Sequence, residues 1–174
     1  MNSFVARRCH LVAAIFLTLA MAGVVGSALG FEHIGGYVPC KLCLAQRTPY
    51  YLAIPVGLAA VLAAGLKWPA WIARGLLVVI GLLMAYGLAL GVYHSGVEWH
   101  WWAGPADCST ASTSGIVTDA TNLLGALETV KPPSCDEAAV RFLGLSFAGW
   151  NVLASLALAA IAFRAAARPG AAKA

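Results

Sequence analysis

Charge is what this sequence has least of. Lysine and arginine number 11 and aspartate and glutamate 7, together 10% of 174 residues, while 61% are hydrophobic. An ordinary soluble domain carries about a quarter charged residues and roughly half apolar ones. That shortage excludes a water-facing globular surface and makes a bilayer the natural solvent. Four stretches lack Asp, Glu, Lys and Arg altogether: Cys9 to Phe31, Thr48 to Leu66, Gly75 to Val97 and Phe142 to Phe163. Their lengths of 23, 19, 23 and 22 residues compare with about 20 needed to cross a ~30 Å hydrocarbon core. No haem, flavin or iron–sulfur motif is visible, and neither is an internal repeat.

The expectation is an all-α membrane protein, a single domain over 1–174 built as a four-transmembrane-helix bundle. Its spans cover about 11–29, 49–66, 75–93 and 142–163. The first follows Arg7 and Arg8, as a signal peptide would. The run from Leu11 to Leu29 is longer than a usual signal core, and Ser27-Ala28-Leu29-Gly30 is a poor cleavage site. It is read as a retained helix.

Four spans put both termini on one side. That side holds Arg7, Arg8, Lys67, Arg74, Arg164, Arg168 and Lys173, seven basic residues, against four (Lys41, Arg47, Lys131 and Arg141) on the other. The positive-inside rule places the termini in the cytoplasm. All seven acidic residues, Glu32, Glu98, Asp107, Asp119, Glu128, Asp136 and Glu137, fall on the outer side. The net charge of +4 therefore reflects membrane orientation, and nothing points to nucleic acid.

Two outer loops follow, about 30–48 and 94–141. The first carries Pro39-Cys40-Lys41-Leu42-Cys43. The second is long and opens with Trp99-His100-Trp101-Trp102, aromatics of the kind found at headgroup level. Within it, Ile116, Val117, Ala120, Leu123, Leu124 and Leu127 recur at the spacing of one helix face. A short amphipathic helix is expected there, lying on the membrane or packed on the other loop. Lys67-Trp68-Pro69 reads as a tight turn, and the Ala-rich tail, about 165–174, as disordered.

Cys40, Cys43, Cys108 and Cys135 all fall on the outer side, where a bacterial envelope is oxidising and disulfides persist. Cys9, at the other end of the first span, reads as a small buried thiol without a role. Cys40-x-x-Cys43 can close a small, readily reduced disulfide, and such spacing commonly lowers one thiol's pKa. Exchange needs a thiolate, which Lys41 and Arg47 favour by charge. Arg47 shares a face with Cys43 if the segment is already helical. Thr48-Pro49 reads instead as an N-cap and first helical position, and Arg47 is then a snorkelling anchor or a functional group at the boundary.

Cys108 and Cys135 have 26 residues between them. Taken alone they suggest a structural disulfide. A zinc site from all four outer cysteines would need a second short-spaced pair. A labile pair at the lipid boundary and a second pair in a reachable loop also suggest a relay of two electrons toward the membrane. A lipid-soluble quinone then fits as acceptor by elimination.

Cys40-Lys-Leu-Cys43 with Arg47, Tyr93-His94, Glu98-Trp-His-Trp-Trp102 with Gly104-Pro105 and Cys108, Cys135-Asp136-Glu137, and Phe142-Leu-Gly-Leu-Ser-Phe-Ala-Gly-Trp150 together resemble the disulfide bond formation protein B (DsbB) family. These are quinone-linked thiol oxidases of the bacterial inner membrane, and the likeness runs from the first span to the fourth. Pro49 and the region Trp99 to Trp102 depart from some members.

The resemblance implies a protein-disulfide:quinone oxidoreductase with two redox-active disulfides, Cys40–Cys43 and Cys108–Cys135, and ubiquinone or menaquinone as acceptor. It implies that Cys108 meets a DsbA-like periplasmic thioredoxin-fold oxidase, that Cys135 exchanges with Cys40, and that Cys43 faces the quinone as a thiolate. Arg47 would stand beside a quinone oxygen, and His94 would be a neighbour of the ring or an ordinary interfacial histidine. Vitamin K epoxide reductases also pair four helices with two cysteine pairs, but their loop pair precedes the CxxC. From another class, a membrane protein with two purely structural disulfides would resist mild reductant.

Overall fold

The computed structural model describes residues 3–105, 108 and 135–168. Four long helices make the bundle: α1 Ser3–His33, α2 Lys41–Gly65, α3 Ala70–Glu98 and α4 Phe147–Ala167. Each is long and apolar enough to cross a membrane. In hydrocarbon every backbone polar group must be satisfied within the segment, and the α-helix does this from sequence-local bonds alone.

The core runs along the bundle axis through Leu17, Met21, Tyr50, Leu77, Ile80, Met84, Leu158 and Ala162, all buried. Apolar side chains such as Phe16, Leu19, Leu58, Leu62, Leu82 and Leu156 point outward. In water that surface would be a liability; in a bilayer it is the solvent-matched face. α3 packs most extensively on α4 and α2, and α1 on α2 and α4. Small residues allow the close approach, as is usual between membrane helices. At Gly91 of α3 a Cβ would stand 3.0 Å from Val152 Cγ2 and 3.2 Å from Asn151 Nδ2, so glycine there lets α4 bring Asn151 inward.

The helices differ in extent from the charge-free spans, and each difference has a local cause. α2 begins at Lys41, with Pro49 and Pro55 inside it, so the segment before Thr48-Pro49 is helical. Cys40 caps it: its Sγ accepts the Cys43 backbone N–H at 3.3 Å. Thr48 Oγ1 donates to Leu44 O at 3.4 Å, one turn back, beside the backbone bond that Pro49 cannot make. α4 begins at Phe147, because Arg141–Phe142 and Leu145–Ser146 pair as a two-stranded hairpin, β1 and β2. Leu143 and Gly144 at its tip have φ of 53° and 84°, the left-handed pair that a tight hairpin turn requires. Ser146 caps α4 by accepting the Gly149 N–H. At its far end α4 runs through the expected tail as far as Ala167, with Ala165 and Ala166 buried and Arg74 Nε donating to Ala166 O at 2.9 Å.

Beyond α3 the chain folds back. Trp102 donates to Tyr93 O at 2.8 Å and stacks on the Tyr93 ring. That return carries Cys108 over the start of α2. The amphipathic helix expected around Ile116 to Leu127, and the tail beyond Arg168, lie outside the described residues.

Candidate functional site

The start of α2 is where the chemistry collects. Cys40 as N-cap and Cys43 one turn on bring their sulfurs to 2.8 Å. Both are free thiols. Cys108 and Cys135 are joined by a disulfide with Cα atoms 5.8 Å apart. That disulfide is buried in one cluster with Cys40, Leu42 and Val97, and Cys43 packs against the cluster's edge. The four outer cysteines thus meet at one end of the bundle.

A chain of buried polar groups holds Cys40 from behind. Its Sγ lies 3.7 Å from His94 Nε2. The Gln46 amide nitrogen donates to His94 Nδ1, which leaves the ring's proton on Nε2, facing the sulfur. Gln46 Oε1 in turn accepts from Asn151 at 2.6 Å, and Asn151 Oδ1 accepts from the Tyr50 hydroxyl at 2.8 Å. Tyr50 also shares a hydrogen bond with Ser155. Three helices are tied together at the depth of the dithiol, and a satisfied polar network of this kind fixes its members rigidly. Hydrogen bonding with Cys43 pulls the Cys40 thiol down to about 4; burial opposes this, and His94 reinforces it. The capped helix N-terminus adds its own preference for an anion.

Cys43 faces the other way, onto a cavity of about 480 Å³. That volume lies within the range of small-molecule sites, which are apolar with a few placed polar groups. The apolar wall includes Val24, Phe31, Tyr37, Phe147 and Trp150, and the polar groups include Glu32, Gln46, Arg47 and Asn151. Arg47 Nη1 donates to Glu32 Oε2 in an ion pair whose side chains are 13% and 26% exposed.

The expected site residues therefore divide. Cys43 and Arg47 share the cavity wall, Cys40 joins the loop disulfide, and His94 is not among the wall residues. It stands behind the wall residues, bonded to Gln46 and against Cys40. With both thiols free, the lowered one is Cys40. The four-cysteine zinc site fails because two of its sulfurs are bonded to each other. Among the described residues Cys40, Cys43 and His94 gather within 4.8 Å, three donors where a structural zinc site takes four. Sequence reasoning missed Gln46, Asn151, Tyr50 and the partner role of Glu32. The signal lay in Asn151 within a charge-free span, since polar residues at membrane depth are rare and usually functional.

The sequence profile of the family described as "Disulfide bond formation protein DsbB" matches residues 10–165. The chain belongs to the DsbB family. A disulfide bond formation protein B of Saccharophagus degradans is 32% identical over 155 residues, covering 85% of this chain and 87% of that protein. One of Aromatoleum aromaticum is 28% identical, covering 89% and 92%. An uncharacterized protein of Rickettsia prowazekii is 27% identical, covering 73% and 70%. No solved structure gives a significant match. As a DsbB-family member the chain is a multi-pass inner-membrane thiol oxidoreductase of disulfide bond formation.

Proposed function

We propose that this DsbB-family protein reoxidises a DsbA-like thioredoxin-fold dithiol oxidase and delivers the electrons to a membrane quinone. The observation that carries the reading is the two-sided placement of the short cysteine pair. Cys40 is buried against the Cys108–Cys135 disulfide, and Cys43, 2.8 Å from it, lines an apolar cavity that also holds Arg47.

The steps follow from thiolate exchange. The partner's thiolate attacks Cys108 and frees Cys135, and the partner's second thiol then releases itself as a disulfide. Cys135 attacks the sulfur of Cys40 in the Cys40–Cys43 disulfide and frees Cys43. Cys108 attacks Cys135, which restores the loop disulfide and leaves Cys40 and Cys43 reduced. A quinone, when bound, supplies an acceptor for the two electrons and two protons that the dithiol loses. The cavity suits such a ring: its walls are apolar, and the Arg47 guanidinium offers donors where negative charge would develop. Gln46 holds His94, and His94 holds Cys40, so the dithiol is positioned before exchange begins. The reading has the termini in the cytoplasm and the four cysteines in the periplasm, as the basic residues suggest.

The test is a trapped bridge. In a Cys43→Ala, Cys108→Ala protein the two outer thiols that remain, Cys40 and Cys135, should form a disulfide on mild oxidation, found by peptide mapping without reductant. Failure to form it, with both thiols free to react with a maleimide, would sink the relay.

A further inference from the structure

Glu98, the last residue of α3, is 8% exposed, and its Oε2 has no hydrogen-bond partner among the described residues. Its other oxygen, Oε1, lies 3.9 Å from His94 Nε2, one helical turn back. That same nitrogen is 3.7 Å from Cys40 Sγ. Gln46 occupies Nδ1, so the one remaining N–H faces two acids, a thiol at hydrogen-bond distance and a carboxyl just beyond it. Ser95, on the same face of α3, also has a hydroxyl with no partner among the described residues. Among the described residues the other charged side chains and histidines at this end, Lys41, Asp136, Glu137, Arg141, His33 and His100, are exposed, and Arg47 is paired with Glu32 on the cavity side. A buried carboxylate without a full set of partners is costly and is by default a functional candidate at membrane depth.

We infer that Glu98 is a redox-linked proton site, ionised when Cys40–Cys43 is a disulfide and protonated when the pair is reduced with its charge on Cys40. Two anions cannot share one imidazole N–H at these distances without one of them taking a proton, as in paired carboxylates. The thiol is the stronger candidate for the charge, because Cys40 Sγ also receives the Cys43 N–H at the start of α2, and it is held below the ordinary thiol range.

The step balances. Reduced Cys43–SH, Cys40–S⁻ and Glu98–COOH give Cys40–S–S–Cys43 and Glu98–COO⁻. The S–S bond forms, the S–H and O–H bonds break, and two protons and two electrons leave. On the proposed reading the electrons go to the quinone, and the second proton comes from Glu98. The inference rests on that reading only for the identity of the acceptor.

The experiment therefore uses neither quinone nor partner. Full-length protein carrying Cys108→Ala and Cys135→Ala, so that Cys40–Cys43 is its remaining disulfide, is reduced with dithiothreitol and followed by infrared difference spectroscopy. Reduction should raise one protonated-carboxyl C=O band, shifted by carbon-13 glutamate and absent in Glu98→Gln. The pair's potential should follow pH through the neutral range as two protons per two electrons, falling to one in Glu98→Gln. A labelled parent protein with no such band overturns the assignment, as does an unchanged stoichiometry in Glu98→Gln. If Glu98→Gln does not fold, Glu98→Asp keeps the test: a carboxyl band at a displaced position supports the site, and its absence refutes it. A failed quinone assay beside an intact carboxyl band would count against the acceptor alone.

Discussion

Replacing Arg47 by Met probes the cavity wall at its one basic side chain among the described residues. The perturbation removes a guanidinium donor and leaves Glu32 without its ion-pair partner in a mostly apolar lining. Breaking a fully buried pair costs about 3–5 kcal/mol, but side-chain exposures of 13% and 26% bring this pair nearer to a hydrogen bond with a charged group, about 1.5–3 kcal/mol. At ~1.4 kcal/mol per factor of ten, that is a loss of ~10–100-fold. The loss should fall on kcat/KM for a soluble quinone, leaving kcat/KM for the dithiol partner and both disulfides unchanged. A double variant with Glu32→Gln should lose less than Arg47→Met alone, since the stranded carboxylate is then gone. Steady-state kinetics across quinone concentrations measures all three. Wild-type quinone kinetics in Arg47→Met would show that Arg47 does not act on the acceptor.

Three further outcomes follow from the packing and the thiol chemistry. Because the Cys40 thiol sits at about 4, the reduced protein is thiolate above that pH and thiol below it. Its alkylation by iodoacetamide should stay fast from neutral pH down into the acid range and then fall; a half-maximal rate near the ordinary thiol value of about 8.5 would refute this. Gly57→Ala would push a Cβ into the Thr18 hydroxyl, which is buried and bonded to Ala14 O. The protein should lose about 1–3 kcal/mol, read as a lower Tm in detergent and partly restored by adding Thr18→Ala. Asn151→Leu severs Gln46 from Tyr50, and the freed Gln46 should let His94 turn. Exchange at Cys40 should slow, measured as the rate of Cys40–Cys135 bridge formation, while the helical content stays unchanged.

Much of the fold was written in the distribution of charge. The absence of Asp, Glu, Lys and Arg over whole windows marks the spans because burying a charge in hydrocarbon is costly, and that rule needs no tertiary knowledge. Helix ends were less legible, since Arg47, Arg74 and Arg164 end an apolar window without ending a helix. Local capping by Cys40 and Ser146 decides those boundaries, as does the Leu143-Gly144 turn. The cysteine spacing identified the reactive groups, but which sulfur faces the cavity depends on how α2 is rotated against its neighbours. Gln46 and Asn151 escaped notice because their importance lies in a contact across helices, 105 residues apart in the chain.

The central claim is that electrons pass from the loop disulfide through Cys40 and Cys43 to a quinone in the cavity. The most direct test is anaerobic: purified protein, a reduced thioredoxin-fold dithiol protein and a soluble quinone analogue, following quinone absorbance. The account predicts one quinone reduced for each partner disulfide formed, and none when Cys40 or Cys108 is replaced by Ala. No quinone reduction, with both cysteine pairs locked in bridges that resist mild reductant, would contradict it and leave two structural disulfides in a membrane bundle.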